Sequence, residues 1–183
     1  MLQIENAQEK LLTQGRKMLV TQGYGYLNIK ALAAGCGMST GSVYSYFRGK
    51  DDLVEQIMER DWNKVIAVTQ AETCKTAPLV EKLERIYDAF VRFENDFHLS
   101  AGGNMRISQV DSEFRARNMR QMYDAVASLL QAEIARGLMP QDLDTRSTAY
   151  ILVQLFTSAG RNPGITFDDL WSCLAFGKRQ ERS

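Results

Sequence analysis

Apolar residues recur along the 183-residue chain at the three- and four-residue steps of amphipathic helices, and almost nowhere at the two-residue step of a strand. Ile4, Ala7, Leu11, Leu12, Met18 and Leu19 define a first helix over about Glu5 to Gln22, stopped by Gly23. Gly15 lies on its apolar side and weakens it by up to about 1 kcal/mol relative to alanine, so a close crossing by another helix is expected there. After Gly23-Tyr24-Gly25-Tyr26, Asn28 is placed to cap a two-turn helix bearing Ile29, Leu32, Ala33 and Cys36. Gly35 and Gly37 end that helix, Met38 offers an apolar anchor, and Ser39 caps a third helix starting at Thr40, with Val43 and Phe47 on one face. Two short helices joined by so tight a turn form a helix-turn-helix unit. Arg48-Gly49-Lys50 breaks the pattern. Asp51 and Asp52 then suit the N-terminal dipole of a long fourth helix with Leu53, Ile57, Met58, Val65 and Val68, reaching about Thr73.

Beyond Pro78, Leu83, Ile86, Phe90, Phe93 and Phe97 give a heptad-like seam. Ser100 to Asn104 reads as a loop and Met105 to Val110 as a short helical piece. A long helix carrying Met119, Met122, Tyr123, Val126, Leu130 and Ile134 ends at Gly137 and Pro140. Asp144 caps the next, apolar on nearly every side from Ala149 to Phe156. A last helix begins at Thr166 with Asp169 three positions on, a capping-box-like pair, and carries Phe167, Leu170, Trp171 and Leu174. Lys178 to Ser183 reads as a polar tail. The expected fold class is all-α, with an N-terminal three-helix helix-turn-helix domain at 1–50. A long helix joins it to a helical ligand-binding and dimerisation bundle at 51–183.

Charge sharpens this division. The whole chain is neutral, with 22 basic and 22 acidic residues, but residues 1–50 hold six basic residues against Glu5 and Glu9. A surplus of four positive charges therefore faces an equal deficit in the remainder. Other chemistry is sparse. His98 is the single histidine, and Cys36, Cys74 and Cys173 are far apart without CxxC spacing. Neither a metal site, a disulfide framework nor a catalytic constellation is expected, and no cofactor. Adjacent acidic pairs at 51–52 and 168–169 are explained by capping. No apolar run approaches the roughly 18 residues of a membrane span, and the first twenty residues lack a signal-like apolar core, so a reducing cytoplasm is the expected location.

A short hydroxyl-rich helix in the one basic region has the geometry that enters a DNA major groove. Ser42 and Tyr44 can donate hydroxyls to phosphate, while Thr40, Ser45 and Tyr46 can reach base edges or a thymine methyl. Lys50 and the backbone N–H groups opening the fourth helix can hold a phosphate by charge and dipole. The same hydroxyls would also suit a plain solvated surface.

The residues Gly23-Tyr24, Ile29, Leu32-Ala33, Gly37-Met38-Ser39, Gly41, Val43-Tyr44, Phe47, Lys50-Asp51 and Leu53 together resemble the N-terminal signature of the TetR family of bacterial transcriptional regulators. The resemblance covers about residues 5–58. It implies a recognition helix near Thr40 to Tyr46, a helical ligand-binding domain, and a homodimer joined through the last two helices. By position, Thr40, Gly41, Ser42, Tyr44 and Tyr46 match groove and backbone contacts, and Lys50 the phosphate-binding lysine; Asn28, Ser39 and Ser45 complete the candidate DNA-binding set. Thr40 stands where many members have lysine, Cys36 where many have alanine, and Asn28 replaces a more usual Thr or Ser cap.

For a ligand cavity the candidates are Trp62, Tyr87, Phe90, Phe93, Phe97, His98, Met105, Met119, Met122 and Tyr123, suited to a small, largely apolar or aromatic effector. Core packing is the default reading for any one of them. The last two helices carry more apolar surface than one bundle side can bury, which favours a homodimer through Tyr150, Leu152, Val153, Phe156, Phe167, Leu170, Trp171 and Leu174. The fourth helix then serves as a lever between effector and DNA, displaced at Trp62, Val65 or Ile66. The expected function is a repressor released by its effector from a palindromic double-stranded DNA operator with half-sites about 34 Å apart. The alternative is a helical ligand- or partner-binding module that meets no operator.

Overall fold

The computed structural model describes residues 2–98, 112–162 and 164–179. Among them every regular element is helical: α1 (Leu2–Gln22), a 3₁₀ turn (Tyr24–Tyr26), α2 (Ile29–Cys36), α3 (Thr40–Tyr44), α4 (Lys50–Thr73), α5 (Leu79–His98), α6 (Ser112–Ala135), α7 (Thr145–Gly160) and α8 (Phe167–Arg179). The all-α expectation therefore holds. The loop expected at Ser100 to Asn104 and the short helix expected at Met105 to Val110 lie outside the described residues. α1 begins three residues before the expected Glu5, and α8 runs on to Arg179, into what the sequence suggests is tail. Among the described residues no helix is long and apolar enough to cross a membrane.

The chain divides into two compact units, Met1–Asn63 with Asp96–Arg115, and Lys64–Asn95 with Ala116–Ser183. The division differs from a cut at residue 50 because the first turns of α4 pack onto α1. Leu53, Val54, Ile57 and Met58 are buried with Leu11, Leu12 and Leu19. Gly15 lies close against α4: a β-carbon there would stand 3.1 Å from Ile57 Cδ1 and 3.5 Å from the Leu53 methyls. This is the close crossing that the glycine implies. In the same unit Arg16 of α1 donates to the carboxylates of Asp61 on α4 and Asp96 on α5.

The second unit buries Leu83, Ile86, Phe90, Met122, Val126, Leu129, Val153 and Phe156. Its helix starts are those the sequence announces. Asp144 accepts the N–H groups of Arg146 and Ser147 at 3.1 and 3.2 Å. Thr166 and Asp169 cap reciprocally, with Thr166 N donating to the carboxylate at 2.8 Å and Asp169 N to the hydroxyl at 3.2 Å.

That core also holds a charge pair that composition alone hides. Lys82 and Glu133 are both fully buried and 2.7 Å apart. Lys82 also donates to the Lys75 carbonyl, and Arg136 to Glu133 at 2.6 Å and to the Thr73 carbonyl at 2.7 Å. The pair thus joins the end of α4, the start of α5 and the end of α6. Removing one partner strands a buried charge, so Glu133→Ala is expected to lower stability by about 3–5 kcal/mol in urea unfolding. The joint change Lys82→Met with Glu133→Leu is expected to recover most of that loss, because an apolar pair needs no compensation.

Candidate nucleic-acid interface

The helix-turn-helix is assembled from backbone requirements before any ligand is considered. Asn28 Oδ1 accepts from the N–H of Lys30 at 2.8 Å and of Ala31 at 3.4 Å, closing the start of α2. The end of α2 turns sharply at Gly37, which takes the left-handed conformation, φ 68°, favoured by glycine. The N–H of Met38 then reaches back to the Ala33 carbonyl at 2.9 Å. Lys10 on α1 donates to the Cys36 carbonyl at 2.9 Å, adding a cation at the negative end of α2.

α3 has only five residues and is held at both ends. Ser39 Oγ accepts the Ser42 N–H at 3.0 Å, and Val43 with the following Phe47 is buried beneath. Its outer face carries Thr40, Gly41, Tyr44 and Ser45, all exposed, with Ser42 and Tyr46 half-buried. Several of its hydroxyls already have internal roles. Ser39 and Ser42 share a hydrogen bond at 2.8 Å, and Ser45 donates to the Ser42 carbonyl at 2.7 Å. Thr40 and the 55 % exposed Tyr44 are the hydroxyls best presented outward, whereas Asn28 and Ser39 are placed chiefly as caps.

Lys50 opens α4, its ammonium 3.9 Å from the centre of the Tyr24 ring. Burial lowers its proton affinity, partly offset by the Asp51 charge. Tyr24 donates its hydroxyl to Asp51, and burial, that hydrogen bond and the Asp51 charge push its pKa up to about 12. At the next carboxylate, Asp52, burial works upward. The Arg48 N–H at 2.7 Å, the Gln56 amide at 3.1 Å and the Arg48 charge outweigh it, and the carboxyl stays below its usual range. The sequence pattern passed over two exposed side chains here, Tyr26 in the 3₁₀ turn and Arg48. Only their place beside the Gly-Tyr connector and the helix break could have marked them.

The surplus of positive charge is partly internal. Lys10 and Arg16 are engaged within their own unit, whereas Lys17, Lys30 and Arg48 are exposed and Lys50 is half-buried.

The residues expected to line a ligand cavity fall in both units. Trp62 and Phe97 belong to the first unit, and Tyr87, Phe90, Phe93, Met119, Met122 and Tyr123 to the second. Phe90 and Met122 are fully buried core residues. Met105 and the side chain of His98 lie outside the described residues. The second unit has an open cavity of about 390 Å³ against Tyr87, Val91, Ile165 and Phe167, with Glu84, Asp88 and Asp168 at its polar side. Among the described residues, Tyr87 alone of the expected lining set reaches it, its hydroxyl donating to the Ile165 carbonyl at 3.0 Å.

Of the residues expected at a dimer interface, Leu152, Val153, Phe156 and Phe167 are buried inside the second unit, where Tyr87, Phe156 and Phe167 form an aromatic cluster. Inward-facing positions on α7 and α8 cannot also face a partner. Tyr150, Ile151 and Leu174 are exposed, and Leu170 and Trp171 half-buried, Trp171 stacked on Phe167.

A capped, hydroxyl-faced helix beside a helix-opening lysine completes a helix-turn-helix unit, and the regular elements of the described residues are all helical. Residues 11–57 match the family model described as bacterial regulatory proteins, tetR family. An uncharacterized helix-turn-helix-type transcriptional regulator of Haemophilus influenzae is 24% identical over 79 residues, covering 43% of this chain and 42% of that protein. The chain thus matches under half the length of that relative. In fold it resembles the reduced form of Escherichia coli NemR (TM-score 0.70, 17% identity, 94% of this chain and 96% of that one). It also resembles FadR of Bacillus subtilis, solved in complex with stearoyl-CoA (TM-score 0.62, 17% identity, 87% and 90%). The similarity to the tetR family of bacterial regulatory proteins thus lies in the N-terminal part of the chain, residues 11–57.

Because α3 is so short, its cap should matter measurably. Ser39→Ala is expected to cost about 1 kcal/mol in thermal or urea unfolding, while Ser39→Asp, which keeps an acceptor, is expected to hold wild-type stability.

Proposed function

We propose that the chain is a ligand-responsive repressor that binds a palindromic double-stranded DNA operator as a homodimer. The observation that carries this reading is the placement of Thr40 and Tyr44 on an anchored, capped α3 next to Lys50 at the start of α4. The helix offers groove-reading hydroxyls, and the lysine with the first N–H groups of α4 offers a phosphate seat. In this reading Lys30 and Arg48 add charge at the rim of the contact, and Tyr46 contributes at the edge of α3.

The effector in this reading is small and largely apolar or aromatic. The stearoyl-CoA bound by the Bacillus subtilis FadR supports an apolar-tailed effector in a protein of similar fold. In this reading α4, which runs from Lys50 to Thr73, serves as the lever between effector and DNA. A coupling of about 1–3 kcal/mol would change DNA affinity 5- to 150-fold. The homodimer is formed by the exposed side chains of α7 and α8, chiefly Tyr150, Ile151 and Leu174 with Trp171.

Binding to duplex DNA measured by fluorescence anisotropy over a salt series tests the DNA contact. Lys50→Ala is expected to weaken binding on every sequence and to lower the log–log salt slope by about one, whereas Thr40→Ala is expected to change sequence preference with the slope nearly intact. A wild-type protein whose binding ignores salt would remove the operator reading. Ile151→Glu is expected to halve the mass seen by sedimentation equilibrium without altering the helical circular-dichroism signal, because Ile151 is 54 % exposed in the single chain.

A further inference from the structure

We infer that Tyr24 is a positioning residue for the DNA grip: its ring directs the Lys50 ammonium, and its hydroxyl ties that ring to the first turn of α4. The inference rests on the reading of Lys50 as a phosphate contact. Left to itself, a lysine at a helix start is poorly held, because its charge meets the positive end of the dipole and its four-carbon stem has many rotamers. Here the ammonium sits 3.9 Å from the ring centre, well inside the range of a cation–π contact. The ring is itself mounted rigidly. Tyr24 belongs to the 3₁₀ turn closed by Tyr26 N to the Gly23 carbonyl and Leu27 N to the Tyr24 carbonyl, both at 3.2 Å, and Leu27 is buried.

The choice of a ring over a carboxylate has a chemical consequence. Asp51, the nearest acid in sequence, accepts the Tyr24 hydroxyl, and among the described residues no carboxylate lies within ion-pair distance of Lys50. A carboxylate partner would compete with phosphate for the ammonium and would have to be displaced when DNA binds. A ring face orients the cation and leaves its N–H donors for phosphate oxygens. Burial beside the ring also lowers the proton affinity of Lys50, consistent with a desolvated and held ammonium.

A double-mutant cycle on a labelled duplex of random sequence, titrated over a potassium chloride series, separates positioning from mere structure. Tyr24→Leu is expected to weaken binding about 2- to 5-fold, the worth of an exposed cation–π contact. The same change is expected to have no further effect in a Lys50→Ala background, and Tyr24→Phe to stay within about two-fold of wild type. Equal losses from Tyr24→Leu with and without Lys50, or no loss at all, would overturn the inference. If Lys50→Ala leaves affinity and slope unchanged, the phosphate reading fails instead. Proton NMR of the DNA-free protein then still decides the local claim. The Lys50 ε-methylene protons are expected upfield in wild type and Tyr24→Phe, and at the ordinary lysine position in Tyr24→Leu. An unshifted wild-type signal would refute it.

Discussion

A five-residue helix has no stability of its own, since the first turn fixes several dihedral angles for a single hydrogen bond. α3 exists because Val43 and Phe47 are buried beneath it, because Ser39 supplies the missing acceptor at its start, and because Gly37 lets the chain reverse just before it. Everything proposed for DNA contact depends on that arrangement. Its cost in side-chain freedom is visible: Ser39, Ser42 and Ser45 are drawn into holding the helix and its turn together. The outward chemistry therefore falls to a few residues, Thr40 and Tyr44 on the helix and Lys50 beside it.

Electrostatics in this chain is divided between surface and interior in a way that net charge conceals. Arg16 joins α1 to α4 and α5 through Asp61 and Asp96, and Lys10 sits on the end of α2. These cations hold the first unit together, and the remaining basic side chains are what a polyanion would meet. In the second unit the Lys82–Glu133 pair fixes three helix ends to one another. A fully buried ion pair is a weak source of net stability but a strong constraint on geometry, because any arrangement that separates the two charges is heavily penalised.

Much of this was legible in the sequence, and for identifiable reasons. Caps are local: Asn28, Ser39, Asp144 and the Thr166–Asp169 box act on N–H groups two or three residues away, and each forms as the sequence suggests. Gly15 could be read as a helix crossing because a glycine on an apolar helix face is otherwise unfavourable. The candidate cavity and interface were less legible. Periodicity marks a residue as apolar and inward without saying which neighbour receives it, so Phe90, Met122, Val153 and Phe156 fit a pocket, an interface or a core equally well. Burial places them in the core.

By itself, then, the sequence determined the all-helical fold, the helix-turn-helix with its caps and glycine stop, and the hydroxyl face beside a lysine, all of which follow from interactions spanning a few residues. Only the tertiary structure decided which of those charges and aromatics remain at the surface. Arg16 is matched by residues 45 and 80 positions away, Lys82 by one 51 positions away, and Lys50 lies over a ring 26 positions earlier. Such pairings arise from the way helices cross, and no local pattern encodes them.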